Sequence, residues 1–305
     1  PNTETFVQYS PPGINIKEWL VWDVFEDSEG KIWTANSTGI SCLDPETEEF
    51  VRYVNDPNDP HSFSHNLAWV FFEDKDHTLW IGNSKGLNSF NRANGHFTYY
   101  PYILGNSVAL NTYKVLSIYE NSQNRLWVGT SENGLNLFDR KNQTFKAYTA
   151  DDGISNNVIY GILEDKEGGL WLSTGNGITQ ISIGKNGDIQ ELHVFDKASG
   201  LRGTQFNRGA SLKSQTGELF FGSNKGFVFF HPDSIEPNPH KPRVAITGLR
   251  IFNKEVPIAP EGSGSPLTKH ISETSEITLT HKQSIFSLQY AALSYISPEK
   301  NKYAY

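Results

Sequence analysis

Adjacent Glu and Asp residues recur along this sequence and could supply general acid–base chemistry. The pairs are Glu26–Asp27, Glu73–Asp74 and Glu164–Asp165, with Glu120–Asn121 as a near copy. A catalytic pair needs one special environment that sets its pKa values. A pair that recurs at the same place in every unit of a repeat is typical of a scaffold turn, in which the Asp side chain caps the backbone. We therefore predict a structural role for these acids and no catalytic residue.

The other reactive side chains give little support to metal or nucleophilic chemistry. The nine His residues are scattered, and the close pair His61 and His65 lies in a Pro-rich loop without a fitting third ligand. Cys42 is the single cysteine, so it forms no internal disulfide, and it falls at an ordinary strand position. The sequence shows neither a Gly-rich phosphate loop that opens a helix nor a nucleophile elbow. We predict no metal ion and no cofactor.

Composition narrows the possible partners. The chain has 26 basic and 34 acidic residues and a net charge of −8, which disfavours direct contact with nucleic acid. No apolar run approaches the length of a membrane span, and no signal peptide opens the chain. The sequence also lacks Met altogether. We interpret it as a piece of a longer protein.

A repeated motif predicts the fold. Trp33, Trp80, Trp127, Trp171 and Phe220 head five copies, which are spaced 44 to 49 residues apart. Each copy holds four short runs rich in β-branched and aromatic residues, such as "LVWDVFE", "KIWTA", "ISCLD" and "FVRYV" in the first copy. No segment shows a sustained apolar stripe at helical spacing. The pattern predicts an all-β chain with a β-propeller of four-stranded blades.

The repeat also suggests the limits of the domains. "FVQY" at 6–9 matches the fourth strand of a blade, so we expect an earlier blade and a ring of seven blades of which five are visible. The repeat ends in a Pro-rich stretch, which places the propeller at 1–236. Residues 237–305 hold β-rich runs of another kind, and we expect the first part of an incomplete Ig-like β-sandwich there.

These features resemble a known family. The unit "V–I–ED–G–LW–GT–GL–D–F–Y" resembles the two-component regulator propeller repeat, and "SLQYAALSYISPEKNKYAY" resembles the start of the Tyr-rich Ig-like domain that follows such propellers. Together they resemble the periplasmic sensor region of hybrid two-component histidine kinases of Bacteroides. The resemblance implies an oligosaccharide sensor that controls glycan-utilisation genes. It also implies that the kinase, a membrane helix and the DNA-binding regulator lie outside this chain.

Candidate ligand contacts lie in the connections between blades, which differ greatly while the other turns barely vary. Aromatic faces beside Asn, Arg and His donors suit a sugar ring and its hydroxyl groups. We predict a ligand site among Trp19, Trp22, His65, Trp69, Tyr113, Tyr160, Arg202, Asn207 and Arg208.

An alternative fits some of these residues equally well. Trp22, Trp69 and Tyr160 each stand five positions before a turn Asp, which also fits shared packing near the mouth of the channel. Arg202 and Arg208 belong to the unit that departs most from the repeat, but a solvated or structurally paired arginine is an equal alternative.

Three functions remain open from the sequence. The first is the ligand-sensing periplasmic part of an inner-membrane receptor, with an oligosaccharide as ligand and a homodimer as its assembly. In that case the chain has no catalysis of its own, and it reaches the membrane only through a helix outside this sequence. The alternatives are a metal-assisted propeller enzyme similar to the streptogramin lyases and a propeller that only binds other proteins.

Overall fold

The computed structural model describes residues 8–11, 20–103, 108–110, 112–235 and 243–293. By their contacts, these residues form two compact units, Pro1–Ile235 and Glu236–Tyr305. Within the described residues, the helical segments are single 3₁₀ turns, and none has the length and apolar content of a membrane span. These turns are Ala150–Asp152, Lys197–Ser199, Pro232–Ser234, Ile271–Glu273 and His281–Gln283.

The first unit is built from antiparallel sheets whose strands pair in sequence order, as expected for propeller blades. Four blades have four strands each, and the described part of the fifth blade has three. The strands are β1–β4 (Val21–Glu26, Ile32–Asn36, Gly39–Leu43, Phe50–Tyr53), β5–β8 (Ala68–Glu73, Leu79–Asn83, Gly86–Asn91, His96–Pro101), β9–β12 (Val115–Glu120, Leu126–Thr130, Leu135–Asp139, Thr144–Tyr148), β13–β16 (Ile159–Glu164, Leu170–Thr174, Gly177–Ile183, Ile189–Phe195) and β17–β19 (Phe206–Lys213, Leu219–Ser223, Gly226–Phe230).

The first strands of the blades lie side by side at the centre of this unit. β1 contacts β5, β5 contacts β9, β9 contacts β13, and β13 contacts β17. The sequence predicts this all-β propeller architecture, and the structure confirms it. The predicted strand at 6–9 begins at residues 6 and 7, which lie outside the described residues.

The repeated Asp closes the turn between the first two strands of a blade. One carboxylate oxygen of Asp27 accepts hydrogen bonds from the backbone N–H groups of Glu29 and Lys31 at 3.0 and 2.9 Å. Its other oxygen accepts a 2.7 Å bond from the indole Nε1–H of Trp33. Asp74 and Asp165 make the same contacts in their blades. The Asp is thus the structural cap that the sequence predicts.

The neighbouring Glu joins adjacent blades. Glu164 in the fourth blade accepts hydrogen bonds from both the backbone N–H and the hydroxyl of Ser122 in the third, at 2.8 and 2.7 Å. Glu73 binds Ser28 of the first blade in the same way. Because each Glu satisfies donors of the preceding blade, the recurring acidic pairs belong to the scaffold.

Two arginines reinforce these contacts between adjacent blades, which we call the joints of the propeller. Arg92 in the second blade donates to Asp27 at 2.6 Å and to Glu73 at 2.8 Å. Arg140 in the third blade makes the corresponding bonds to Asp74 at 2.7 Å and Glu120 at 2.6 Å. The carboxylates are almost fully buried, so each arginine supplies the opposite charge that a buried carboxylate requires.

The motif tryptophans pack between blades. The Trp33 indole is almost fully buried, and its ring centroid lies 6.1 Å from that of Phe71 and 5.3 Å from that of Phe90 in the second blade. Similar apolar clusters fill the following interfaces between blades. Burial of large aromatic side chains therefore holds the blades together.

Glycines at the start of the third strand of each blade, or directly before it, have a positive φ: Gly39, Gly86, Gly134, Gly177 and Gly226. At Gly134 a Cβ atom would also lie 2.0 Å from the carbonyl oxygen of Tyr148, so no larger residue fits there without a backbone shift.

The second unit contains a three-stranded antiparallel sheet. Its strands β20, β21 and β22 comprise Arg243–Ile251, Lys254–Glu255 and Phe286–Leu293, and β20 lies in the middle. Leu249 on β20 is buried against Leu267 and Ile271. The Ig-like character of this unit stays a prediction.

Candidate functional site

A β-bulge interrupts the pairing of each innermost strand with its neighbour. The ladder skips one residue near the start of β1, β5, β9 and β13. A bulge leaves its extra residue outside the ladder and re-aims the side chain. The bulge residues are Trp22, Trp69, Leu116 and Tyr160. Trp22 and Trp69 are therefore freed from the sheet at equivalent points of two adjacent blades.

The fifth blade has a wider bulge at the same point. Phe206 pairs with Ser223, and the next paired residue is Ser211, opposite Phe221. Residues 207–210 lie between them, whereas only two residues lie between the equivalent positions Val21 and Val24 of the first blade. The two extra residues carry Arg208 away from the sheet. Gly209, which follows it, has a φ of +68°.

Arg208 contacts the tryptophans of two other blades. Its guanidinium carbon lies 4.5 Å from the ring centroid of Trp69 and 5.8 Å from that of Trp22. The two indole centroids are 5.2 Å apart, with their planes inclined by 48°. Because residues of the first, second and fifth blades meet here, the contact lies at the centre of the blade arrangement.

Lys114 brings a second cation to the same tryptophan. Its Nζ atom lies 4.3 Å from the ring centroid of Trp69. The backbone carbonyl of Lys114 accepts a hydrogen bond from the loop between the second and third strands of its blade, as do the carbonyls of Leu20, Leu67 and Val158 in the other blades. Lys114 is therefore a lysine at a repeat position that the first, second and fourth blades fill with an aliphatic side chain and the fifth with Gln205.

Asp23 is the acidic member of this group. It follows the bulge residue of the first blade, where the second, third and fourth blades have Val70, Ser117 and Gly161. One carboxylate oxygen accepts a 2.9 Å hydrogen bond from the backbone N–H of Phe71. Burial raises the pKa of Asp23, although backbone hydrogen bonds and the charge of Arg208 oppose this effect.

Burial also affects Arg208. Desolvation of the guanidinium lowers the pKa of Arg208, and the charge of Asp23 partly compensates. Its Nη1 atom is buried and has no hydrogen-bond partner among the described residues. We name Trp22, Asp23, Trp69, Lys114 and Arg208 the axial cluster.

His65 is linked to the axial cluster through hydrogen bonds. The indole N–H of Trp69 donates to the hydroxyl of Ser84 at 2.7 Å, and the backbone N–H of Ser84 donates to the carbonyl of Leu67 at 3.1 Å. The backbone N–H of Leu67 in turn donates to Nδ1 of His65 at 3.2 Å. Burial lowers the pKa of His65, with a further contribution from Lys85, so the neutral imidazole that accepts this bond is favoured.

The remaining predicted residues have other surroundings or lie outside the described residues. Tyr113 is exposed, and its ring stacks edge-on against Tyr102 at 4.4 Å. Tyr160 packs against the apolar cluster between the fourth and fifth blades. Arg202 and Asn207 are exposed. Trp19 lies outside the described residues.

The structure thus brings together Trp22, Trp69 and Arg208 from the predicted set and adds Asp23 and Lys114. Both added residues carry a charge where the equivalent positions that the structure identifies in other blades are uncharged. Departure from the repeat was the sequence signal that could have identified them. Among the described residues, no group of three or more His, Cys, Asp and Glu side chains is arranged to hold a metal ion.

Comparison with known protein families finds a match within the repeated blades. The family model described as two component regulator propeller matches residues 109–132 and 153–176, in the third and fourth blades. A protein named histidine kinase P4, from Formosa agariphila, is 32% identical over 177 residues, which cover 58% of this chain and 12% of that protein. The chain therefore spans about an eighth of the length of this relative.

Two solved structures share the fold. The extracellular domain of a proposed one-component system from B. thetaiotaomicron is 18% identical with a TM-score of 0.57, over 93% of this chain and 49% of that one. A catalytically inactive virginiamycin B lyase from Staphylococcus aureus, with quinupristin, is 15% identical with a TM-score of 0.51, over 74% and 73% of the two chains. Since the extracellular domain of a proposed one-component system and a lyase share this fold, the fold alone does not assign a function.

Proposed function

We propose that this chain, whose third and fourth blades are two-component regulator propeller repeats, is the ligand-sensing region of a signalling receptor and that it detects an oligosaccharide. The observation that carries the proposal is the axial cluster. Its five side chains come from four blades, and three of them, Asp23, Lys114 and Arg208, depart from the pattern of the repeat. Side chains that converge on a rigid scaffold without serving its repeat are typical of a binding site.

The chemistry of the axial cluster suits a sugar. Indole rings provide flat apolar faces for the C–H groups of a pyranose, and Trp22 is 41% exposed. The guanidinium of Arg208 and the ammonium of Lys114 provide hydrogen-bond donors for hydroxyl or acidic groups. The hydroxyl of Ser84 accepts a hydrogen bond from the indole N–H of Trp69 and so fixes the orientation of the ring, while His65 binds the backbone of Leu67.

Signalling requires more than binding. The ligand must bind two arrangements of the receptor with different affinity, because equal affinity shifts no equilibrium. We propose that this region lies outside the inner membrane, in the periplasm, and that ligand changes the association of two copies. Analytical ultracentrifugation of the sensor region with and without saturating ligand tests this step, and an identical association state in both would contradict it.

A thermal-shift screen tests the oligosaccharide ligand. The complete sensor region that carries these blades is melted with defined oligosaccharides from plant, microbial and host glycans. Ligand at a hundred times its Kd stabilises the folded state by about 2.7 kcal/mol, which raises the melting temperature measurably. A shift confined to one glycan class supports the proposal, whereas no shift with any class contradicts it.

A further inference from the structure

We infer that the oligosaccharide bound at the axial cluster carries an anionic group, a carboxylate or a sulfate, and that Arg208 and Lys114 bind this group. The inference rests on the proposed function, since it specifies the chemistry of the ligand at the same site. It starts from the contrast between Arg208 and the two arginines of the joints, Arg92 and Arg140, which we call the scaffold arginines.

Each scaffold arginine forms ion pairs with two buried carboxylates. Arg92 and Arg140 each donate to two acidic side chains at 2.6 to 2.8 Å. Arg208 is also partly buried, but no carboxylate among the described residues lies within ion-pair distance of it. A desolvated guanidinium without an anion is unusual in a protein, because burial of a charge is costly unless the charge is paired.

Asp23 does not fill this role. Its carboxylate is directed to the backbone N–H of Phe71, which fixes the first blade to the second. Burial raises the pKa of Asp23, so its negative charge is itself held at a cost. Asp23 thus moderates the positive charge of Arg208 without forming an ion pair with it.

Two further features point to an anionic acceptor. The Nη1 atom of Arg208 is a buried donor without a partner among the described residues. Lys114 and Arg208 both lie within 4.5 Å of the Trp69 ring centroid, so two like charges share one aromatic ring. A carboxylate or sulfate that reaches these two cations accepts charge-assisted hydrogen bonds, which are stronger than those to a neutral hydroxyl.

The aromatic surface supports the same conclusion. Arg208 already lies over both indoles, so a sugar ring that stacks on Trp69 must either hydrogen-bond to the guanidinium or move it aside. A neutral sugar that displaces Arg208 forfeits the cation–π contacts. An acidic sugar keeps the positive charge in place and gains an ion pair. The site therefore selects for the anionic group.

Matched oligosaccharides provide the test. Neutral oligosaccharides, their uronate-bearing forms and their sulfated forms are titrated by calorimetry into the complete sensor region and into Arg208→Gln, Lys114→Gln and Lys213→Gln variants. Lys213 is an exposed lysine at the far end of β17 and serves as the matched control. Melting temperatures without ligand verify that each variant folds, and inorganic sulfate alone measures non-specific anion binding.

We expect the acidic forms to bind at least about ten-fold more tightly than the neutral ones, a preference that weakens with added salt. The comparison of carboxylate with sulfate identifies which anion is recognised. Arg208→Gln and Lys114→Gln abolish the preference, and Lys213→Gln leaves it unchanged. If neutral oligosaccharides bind as tightly as acidic ones, or if the preference survives in Arg208→Gln, the inference is wrong while the proposed function stands. Binding of no oligosaccharide overturns both.

Discussion

The guanidinium of Arg208 lies over the indole of Trp69, with its Cζ atom 4.5 Å from the ring centroid, although the two residues belong to the fifth and second blades. The contact depends on the widened bulge at residues 207–210 and on the single-residue bulge that frees Trp69. Two local irregularities of regular strands thus create one composite surface. The scaffold around it consists of joints that recur from blade to blade, and both parts lead to testable expectations.

Loss of one scaffold charge should destabilise the propeller strongly. Asp27→Asn replaces a buried acceptor of Arg92 and Trp33 by an amide that can present a donor to them. We expect a decrease of about 3 kcal/mol in the free energy of unfolding, as for other broken buried ion pairs. Urea unfolding measures it, with the exposed Glu46→Gln as a control within about 0.5 kcal/mol of wild type. A similar small effect for Asp27→Asn would contradict the role of the joint.

Acid should weaken the same joints. Burial by itself raises the pKa of Asp27 and Asp74, but hydrogen bonds from arginine and tryptophan and the arginine charge outweigh it and leave both pKa values below normal. The unfolded chain regains the ordinary value of about 3.9. Their stabilisation is therefore complete above about pH 5, begins to fall near the unfolded pKa and is lost as pH falls through the folded pKa.

Denaturant unfolding between pH 5 and pH 2 tests this expectation. Wild type should lose stability more steeply below pH 4 than a variant with Asn at both positions 27 and 74. Parallel curves for the two proteins would show that these carboxylates do not carry the acid sensitivity.

The third blade lacks the Asp–Arg ion pair that joins the earlier blades to their neighbours, and two substitutions could restore it. Asn121 replaces the turn Asp, and neither its Nδ2 nor the Nε1 of Trp127 has a partner among the described residues. Ile183 stands where the preceding blades have Arg92 and Arg140. Asn121→Asp alone adds a buried carboxylate without a guanidinium, whereas Asn121→Asp with Ile183→Arg rebuilds the joint. A double-mutant cycle should give a favourable coupling of about 1–3 kcal/mol, and additive effects would contradict this account.

Close approach of neighbouring strands explains the Gly in the second strand of a blade. A Cβ atom at Gly129 would lie 2.1 Å from the Ser117 hydroxyl and 2.9 Å from Cβ of Ile159 in the next blade. We expect Gly129→Ala to cost about 1–3 kcal/mol of stability, as other overpacked core substitutions do. Gly184→Ala is the control, because the atoms nearest to its Cβ atom belong to the flexible side chain of Gln190. Thermal unfolding compares the two variants, and equal melting temperatures would contradict the expectation.

The propeller could be predicted from the sequence because its determinants recur. Trp33, Asp27 and Gly39 each return in register in later blades, and each contact they make is local or lies between adjacent blades. The Ig-like character of the second unit rests on too few described strands to follow from the same reasoning. The number of blades in the closed ring stays a prediction for the same reason.

The axial cluster could be predicted only in part. The sequence indicated Trp22, Trp69 and Arg208 as unusual residues, but their meeting depends on how blades far apart in the chain close around the centre. Asp23 and Lys114 lie within regular strand patterns and stand out only when the blades are compared position by position. Tyr160 shares the spacing of the two tryptophans, yet it packs between blades, since its neighbours are apolar.

Binding at the axial cluster is the central claim, and calorimetry on tryptophan variants tests it most directly. The oligosaccharide found by the thermal-shift screen is titrated into wild type, the Trp22→Ala and Trp69→Ala double variant, and Phe229→Ala, which removes an exposed aromatic ring elsewhere in the fifth blade. We predict that the double variant loses at least about ten-fold in affinity and stays folded, while Phe229→Ala binds as wild type does. Unchanged affinity in the double variant would place the ligand site elsewhere and contradict the account.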